Sequence, residues 1–483
     1  MASPDPREYI VNVGPQGTFR RSGNFQTSPE DIDQLFARFR QQQVEKIALY
    51  FHGGLVSERS GLGSAARVET YLRQAGAAPV CFVWETGLIE TIAGNITKVA
   101  ETKLFNKLLK LVIKKIIRQL GFDSPQARGI AGPGLSDEQI ELELNQPDPF
   151  SEYNRSAGRE NARTAVNAEQ VNIPVLEIEL SQEVELTVVS DPEFAALLRD
   201  TAMPAAAGNN AVGRGPISIA IFVKHIVKII IRVIRRFQQK RDHDLYPTIV
   251  EEILREFYIA EAGAWIWKGM KDKARDMWTS NNGRTCLNQY AGRYFLDLLA
   301  AYKKDLPETR ISLVGHSAGS IAISYLLRTT AQLAQPFSYD HILLLAPACR
   351  IELFRDEILA HPDRYQRLRL FTMTDEYECR DKLVPFIYTH SLLYLVSGLL
   401  EEGEDNFDSH ILGLQRHTSS LKPYDTEELQ QVHAYLTEAG MDREALSVTL
   451  ENAAEGLRCH AKKHGAFDEE LLTLQSIQYI LQQ

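Results

Sequence analysis

Residues 310–321 read RISLVGHSAGSI. Arg310 to Val314 is a short apolar-rich run. Gly315-His316-Ser317-Ala318-Gly319 follows at once, and Ile321, Ile323, Tyr325 and Leu326 then recur with helical spacing. The pattern reads as a strand, a tight turn carrying a serine, and a helix. In a G-x-S-x-G turn of this kind the serine sits on a strained backbone, and the two glycines let strand and helix approach without a Cβ clash. The helix N-terminus directs backbone N–H groups and positive dipole to where an oxyanion develops. Ser317 is therefore the candidate nucleophile, and the N–H of Ala318 a candidate oxyanion donor.

The stretches on either side repeat the same rhythm. Downstream, His341–Leu345 (HILLL) ends at Ala346-Pro347, and Leu368–Thr374 (LRLFTMT) ends at Asp375. Upstream, Tyr9–Val13 is a short β entry. Val44–Phe51 (VEKIALYF) ends at His52-Gly53-Gly54, and Ala78–Trp84 (APVCFVW) closes at Glu85-Thr86-Gly87. Helices are expected between them. One runs from Pro29 to about Gln42, with Ser28 as N-cap, Pro29 at N1 and acidic Glu30 and Asp31 in the first turn. Others are expected over 65–74, 287–303 and from the serine turn to about Gln332. The tail reads as mainly helical. Buried apolar strands alternating with helices predict an α/β fold with a mostly parallel central sheet flanked by helices.

Between about 88 and 282 that rhythm is lost. Length alone suggests about three domains. The pattern instead predicts one core, residues 1–87 and 283–483, split by a large, mainly helical cap inserted over 88–282. Within it, Val175–Val189 (VLEIELSQEVELTVV) alternates with period two and reads as a hairpin.

A serine nucleophile needs a base and an orienting acid, which on this kind of turn follow in the chain order Ser, acid, His. The acid belongs after the second strand beyond the turn. Asp375 stands at that strand end and Asp381 six residues on. Asp375 is favoured, and Asp381 stays open because Asp381-Lys382-Leu383-Val384-Pro385 has a D-x-x-V-P pattern. The base belongs near the last helix. His464 fits, with Gly465 behind it and Asp468 placed to cap a helix over 469–481; His410 and His417 are the fallbacks. Gly53 and Gly54 sit where an HGG loop supplies a second oxyanion N–H.

Composition narrows the classes. The chain has 483 residues, 44% hydrophobic and 24% charged, which excludes a disordered or fibrous chain. A net charge of -10 argues against a nucleic-acid binder. Five scattered cysteines lack the spacing of a disulfide framework or a zinc site. No signal peptide or membrane-spanning stretch is visible, so the expected location is cytoplasmic. No cofactor or metal is implied, and oligomeric state is not readable.

Two segments run against the acidic total. Residues 103–118 (KLFNKLLKLVIKKIIR) carry six Lys/Arg and no acid, with Lys103, Lys107, Lys110 and Lys114 on one helical face. Residues 217–241 carry seven, with Lys224, Lys228, Arg232 and Arg236 spaced by four. Such helices suit cap helices with solvated lysines, or a peripheral contact with an anionic membrane surface.

The stretches HGGLVSE (52–58), FVWETG (82–87), GHSAGSI (315–321), TMTDE (372–376), SLLYLVSGLLE (391–401) and HGAFD (464–468) together resemble the α/β-hydrolase superfamily, in particular a group of largely uncharacterised bacterial serine hydrolases. The resemblance covers the core on both sides of the insertion. HGG departs from the longer HGGG of some esterases. The resemblance implies an α/β-hydrolase fold and a Ser-His-Asp acyl transfer to water. The leading expectation is a carboxylic ester hydrolase (esterase or lipase, with phospholipase included) acting on an acyl ester or lipid. The alternatives are a peptidase or amidase on the same triad, and a non-catalytic membrane-associated or interaction protein built on a hydrolase scaffold.

Overall fold

A computed structural model of the chain describes residues 4–54, 56–84, 89–120, 135–154, 172–200, 218–259, 263–401 and 407–483. Its centre is a seven-stranded sheet: β1 (Ile10–Val13), β2 (Lys46–Phe51), β3 (Ala78–Trp84), β4 (Arg310–His316), β5 (Tyr339–Leu345), β6 (Tyr365–Met373) and β7 (Glu444–Ser447). The spatial order is β1-β3-β2-β4-β5-β6-β7, and every neighbouring pair is parallel. The fold is thus α/β with a parallel sheet flanked by helices.

Parallel sheets are covered on both faces, which explains the unbroken apolar runs of the central strands. On one face the helices Glu58–Gln74 and Leu471–Gln482 bury Ala65, Val68, Leu72, Leu474 and Ile477 in the core shared with Tyr50, Cys81 and Val314. On the other an aromatic layer forms: Phe51 stacks on Phe82 at 4.7 Å, and Phe82 meets Phe295 at 5.2 Å. The helix Pro29–Gln42 starts as its sequence directs. Ser28 Oγ accepts from the Asp31 N–H while the Asp31 carboxylate accepts from the Ser28 N–H.

Contacts divide the chain into two units: Met1–Ile89, Trp265–Asp381 and His410–Gln483; and Glu90–Ala264 with Lys382–Ser409. Both boundaries differ from the expected insertion 88–282. Trp265 to Asn282 go with the sheet because Trp278 Nε1 donates to the Ala322 carbonyl (3.1 Å) and its ring meets Phe51. Lys382–Ser409 goes with the helical unit. Tyr388 there donates its hydroxyl to Glu251 (2.6 Å), and Gly398 lies so close to that carboxylate that a Cβ would stand 2.3 Å from Glu251 Oε2.

The helical unit corrects one expectation. Val175–Val189 is no hairpin but part of a helix, Ile173–Ser190. Leu176, Leu180, Val184 and Val188 are its buried stripe, spaced by four; Ile178 and Leu186 interleave with them on exposed turns. Together they produce a period-two pattern on a helix. The segment also lacks a Gly or Pro turn to reverse a hairpin.

The basic helices, Lys103–Gln119 and Ile219–Gln238, bury their apolar sides and find acids on neighbouring elements of the same unit. Lys107 pairs with Asp191 and Glu193, Lys110 with Glu141, Lys114 with Asp137, and Lys228 and Arg232 with Glu256. Among the described residues only Lys103 and Lys224 of the expected surface cations make no ion pair. No described helix is long and apolar enough to cross a membrane.

Candidate active site

Strand order locates the site. From β2 the chain passes to β3 on one side and returns to β4 on the other, so the direction of winding reverses between β2 and β4. In open α/β sheets ligands bind beyond the carboxyl ends of the strands at such a switch point. The register pairs Phe51 with Gly315, so His52-Gly53-Gly54 and Gly315–Gly319 leave the sheet side by side.

The turn after β4 has the strained form its sequence predicts. Ser317 has φ of 50°, a conformation uncommon for a residue with a Cβ. Its N–H is held by the Leu345 carbonyl (2.8 Å), and its carbonyl accepts from Ala348 N–H and Ser320 Oγ. A Cβ at Gly319 would stand 2.3 Å from the Phe51 carbonyl oxygen, and one at Gly315 would stand 2.6 Å from Ile323 Cδ1. Gly319 is therefore required by close approach to backbone, while at Gly315 the Ile323 side chain and the Gly319 backbone, 3.0 Å from such a Cβ, would both have to give. The helix Gly319–Ala331 begins directly behind the serine, and the Ala318 N–H has no acceptor among the described residues.

The HGG loop lies against this turn. A Cβ at Gly53 would stand 3.5 Å from Ser317 Cβ, and one at Gly54 would stand 2.7 Å from Ala318 Cβ. His52 anchors the loop. Its Nε2 accepts from the Trp84 N–H (3.0 Å), so the proton resides on Nδ1, which donates to the Gly53 carbonyl. Burial pushes His52 down to about 4, in keeping with a neutral structural imidazole. Leu55 and Glu85-Thr86-Gly87 lie outside the described residues.

Ser317 and His464 come together: His464 Nε2 is 2.8 Å from Ser317 Oγ, with both side chains buried. Burial, and secondarily the charge of His316, push His464 down to about 3, so it is a neutral acceptor for the hydroxyl proton. The fallback histidines His410 and His417 pack instead on each other and on Tyr424.

The expected acid is placed differently. His464 Nδ1 has no hydrogen-bond partner among the described residues, so neither Asp375 nor Asp381 orients the ring from there. Asp381 does meet His464, but at the main chain, accepting its N–H at 2.7 Å. Burial raises the Asp381 carboxyl above its ordinary value, against the pull of that N–H and of Lys463. Asp375 opens the short helix Asp375–Arg380 and donates its backbone N–H to Gln415 (2.9 Å).

Two residues escaped sequence reasoning. Asp468 does not cap the last helix; Glu470 does, accepting from the N–H groups of Leu472 and Thr473. The Asp468 carboxylate instead accepts from the Tyr50 hydroxyl (2.6 Å) and lies 3.3 Å from His316 Nδ1. His316 Nε2 donates to the His464 carbonyl at 2.9 Å. Burial works against the charged form of His316, but the Asp468 carboxylate and the His464 carbonyl raise it above its ordinary value. Against burial, Asp468 is held well below the usual carboxylate range by His316 and Tyr50. Compared with models of protein families, with curated proteins and with solved structures, the chain matches none.

Proposed function

We propose that the protein is a serine hydrolase of the α/β-hydrolase type that cleaves a carboxylic ester through an acyl-enzyme. One observation carries the reading: a serine at positive φ on a strand-to-helix turn, its Oγ 2.8 Å from the Nε2 of a buried neutral histidine. Ser317 Oγ attacks the ester carbonyl while His464 Nε2 takes its proton. The tetrahedral oxyanion is met by the Ala318 N–H and by an N–H of the Gly53-Gly54 loop. His464 then returns the proton to the departing alcohol. Water, deprotonated by the same nitrogen, releases the acid and restores the serine. The paired state of Lys107, Lys110, Lys114, Lys228 and Arg232 argues against a broad free basic face, so the proposal does not include an anionic membrane surface.

A fluorophosphonate probe tests this on the purified full chain. Labelling of the wild type, abolished in Ser317→Ala and slowed at least about 100-fold in His464→Ala, is the expected result. Equal labelling of Ser317→Ala overturns the reading.

A further inference from the structure

His464 presents an unusual problem for a base. A histidine that must turn one nitrogen to a serine is commonly steered by an acid on its other nitrogen. Here Nδ1 carries no partner among the described residues, and Nε2 nonetheless stands 2.8 Å from Ser317 Oγ. The restraints that do exist act on its main chain. Its N–H is taken by Asp381 Oδ2 and its C=O by His316 Nε2, so both peptide groups flanking one Cα are pinned.

We propose that His316, tethered to Asp468, is a positioning residue that fixes His464 through its backbone carbonyl and so sets the distance between base and nucleophile. The proposal rests on the reading of Ser317 and His464 given above. Three observations support it. His316 immediately precedes Ser317, so one residue is coupled by covalent bonds to the nucleophile and by a hydrogen bond to the base. Its ring is closely bounded: a Cβ at Gly53 would stand 3.3 Å from His316 Nδ1, and the rings of His464 and Phe467 lie at 5.5 and 6.5 Å. The tether is itself anchored, since the buried Asp468 carboxylate also accepts from Tyr50 on β2. One network therefore joins β2, β4 and the 464–468 turn around the reacting pair. Loss of the His316 donor removes the side-chain hydrogen bond to the buried His464 carbonyl and frees the turn to shift, and a 1 Å misplacement of a reacting group costs roughly 100-fold in rate.

The test uses the full chain, p-nitrophenyl butyrate hydrolysis for kcat and KM, fluorophosphonate labelling of Ser317, and thermal melting of each variant. His316→Leu removes the donor. His316→Gln carries an amide N–H able to reach the same carbonyl. Asp468→Asn loosens the tether and leaves its shape. The expected result is a kcat lowered about 100-fold in His316→Leu with KM within about twofold, and recovery in His316→Gln to within about tenfold of wild type. Labelling rates should follow kcat, with Asp468→Asn between the two. A His316→Leu protein within about threefold of wild type overturns the proposal. So does a His316→Gln protein that melts like wild type and is as slow as the leucine variant. If His316→Leu does not fold, Asp468→Asn decides, and an unchanged kcat there overturns it. A Ser317→Ala control that still hydrolyses the ester overturns the nucleophile assignment itself, a failure distinct from that of the positioning role.

Discussion

The two carboxylates after β6 differ in what they can do for the base. Asp381 accepts the His464 N–H at 2.7 Å, whereas Asp375 is committed through its backbone to Gln415. Alanine at 381 leaves a backbone donor unpaired and releases one of the two restraints on the His464 Cα. Asp381→Ala should therefore lower kcat/KM about 10- to 100-fold on p-nitrophenyl butyrate, and more than Asp375→Ala does. A larger loss at Asp375 restores the acid to the strand end where the chain order puts it. The same scale shows why the site was half legible. Ser317 lies in a motif whose composition follows from local sterics, and Gly315 and Gly319 make the close approaches that motif demands. His316 fills a position that the motif leaves open, and its partners are 148 residues away at His464 and at Asp468 beyond it. Asp468 was misread because an acid just before a helix is an ordinary cap. The Tyr50 hydroxyl claims it from a strand 418 residues away.

At the scale of elements, the helix Ile219–Gln238 is the most instructive. Lys224, Lys228, Arg232 and Arg236 are spaced by four, which looks like one basic face. Four residues on a 3.6-residue helix advance about 400°, so each step drifts about 40° around the axis. Three steps carry the row about 120°, from solvent into the interior. Lys224 is exposed, Lys228 and Arg232 reach Glu256, and Arg236 is wholly buried with Nη1 2.6 Å from Glu251 and 3.1 Å from Glu252. The acids come from the helix Leu245–Phe257, which is why a count of charges along one segment misjudged the surface. Removing one partner of a buried ion cluster leaves the others uncompensated. Arg236→Met should cost about 3–5 kcal/mol in urea unfolding. Lys224→Ser should stay within about 0.5 kcal/mol. Similar costs for the two would mean that the buried cluster contributes no more than a surface charge.

The whole molecule was legible wherever burial is continuous. The strands that became β1 to β6 stand out because both faces of a parallel sheet are covered, so their apolar runs need no periodicity argument. β7 (EALS) passed unnoticed because it is four residues long and half polar, held by its pairing with β6 rather than by its own composition. The two compact units divide at other residues than the expected insertion because packing decides which unit a residue joins, and Trp278 and Tyr388 find their partners far along the chain.

Burial of that sheet also dictates how the protein responds to acid. His52 and His341 are held down at about 4 and His464 at about 3, chiefly by desolvation, and all three lie in the unit that contains the sheet. Their folded values lie below the unfolded value near 6.5, so the stability each contributes is present above 6.5 and is lost as the unfolded chain takes up the proton at lower pH. At pH 5 the loss is about 2 kcal/mol for each group. His316 has the opposite sign: its folded value is raised, so it adds stability as the pH falls toward and below 6.5 and offsets part of the loss. Asp468 and Glu251, held low, keep their charge throughout this window and do not contribute to the change. The three lowered imidazoles, opposed by His316 and by the raised carboxyls of Asp381 and Glu444, should lower the melting temperature by several degrees between pH 7 and pH 5, measured by calorimetry at constant ionic strength. His341→Gln, which removes one of the three without touching the reacting pair, should make that fall shallower. A melting temperature that holds or rises over the same window would mean that these imidazoles are already protonated in the folded chain.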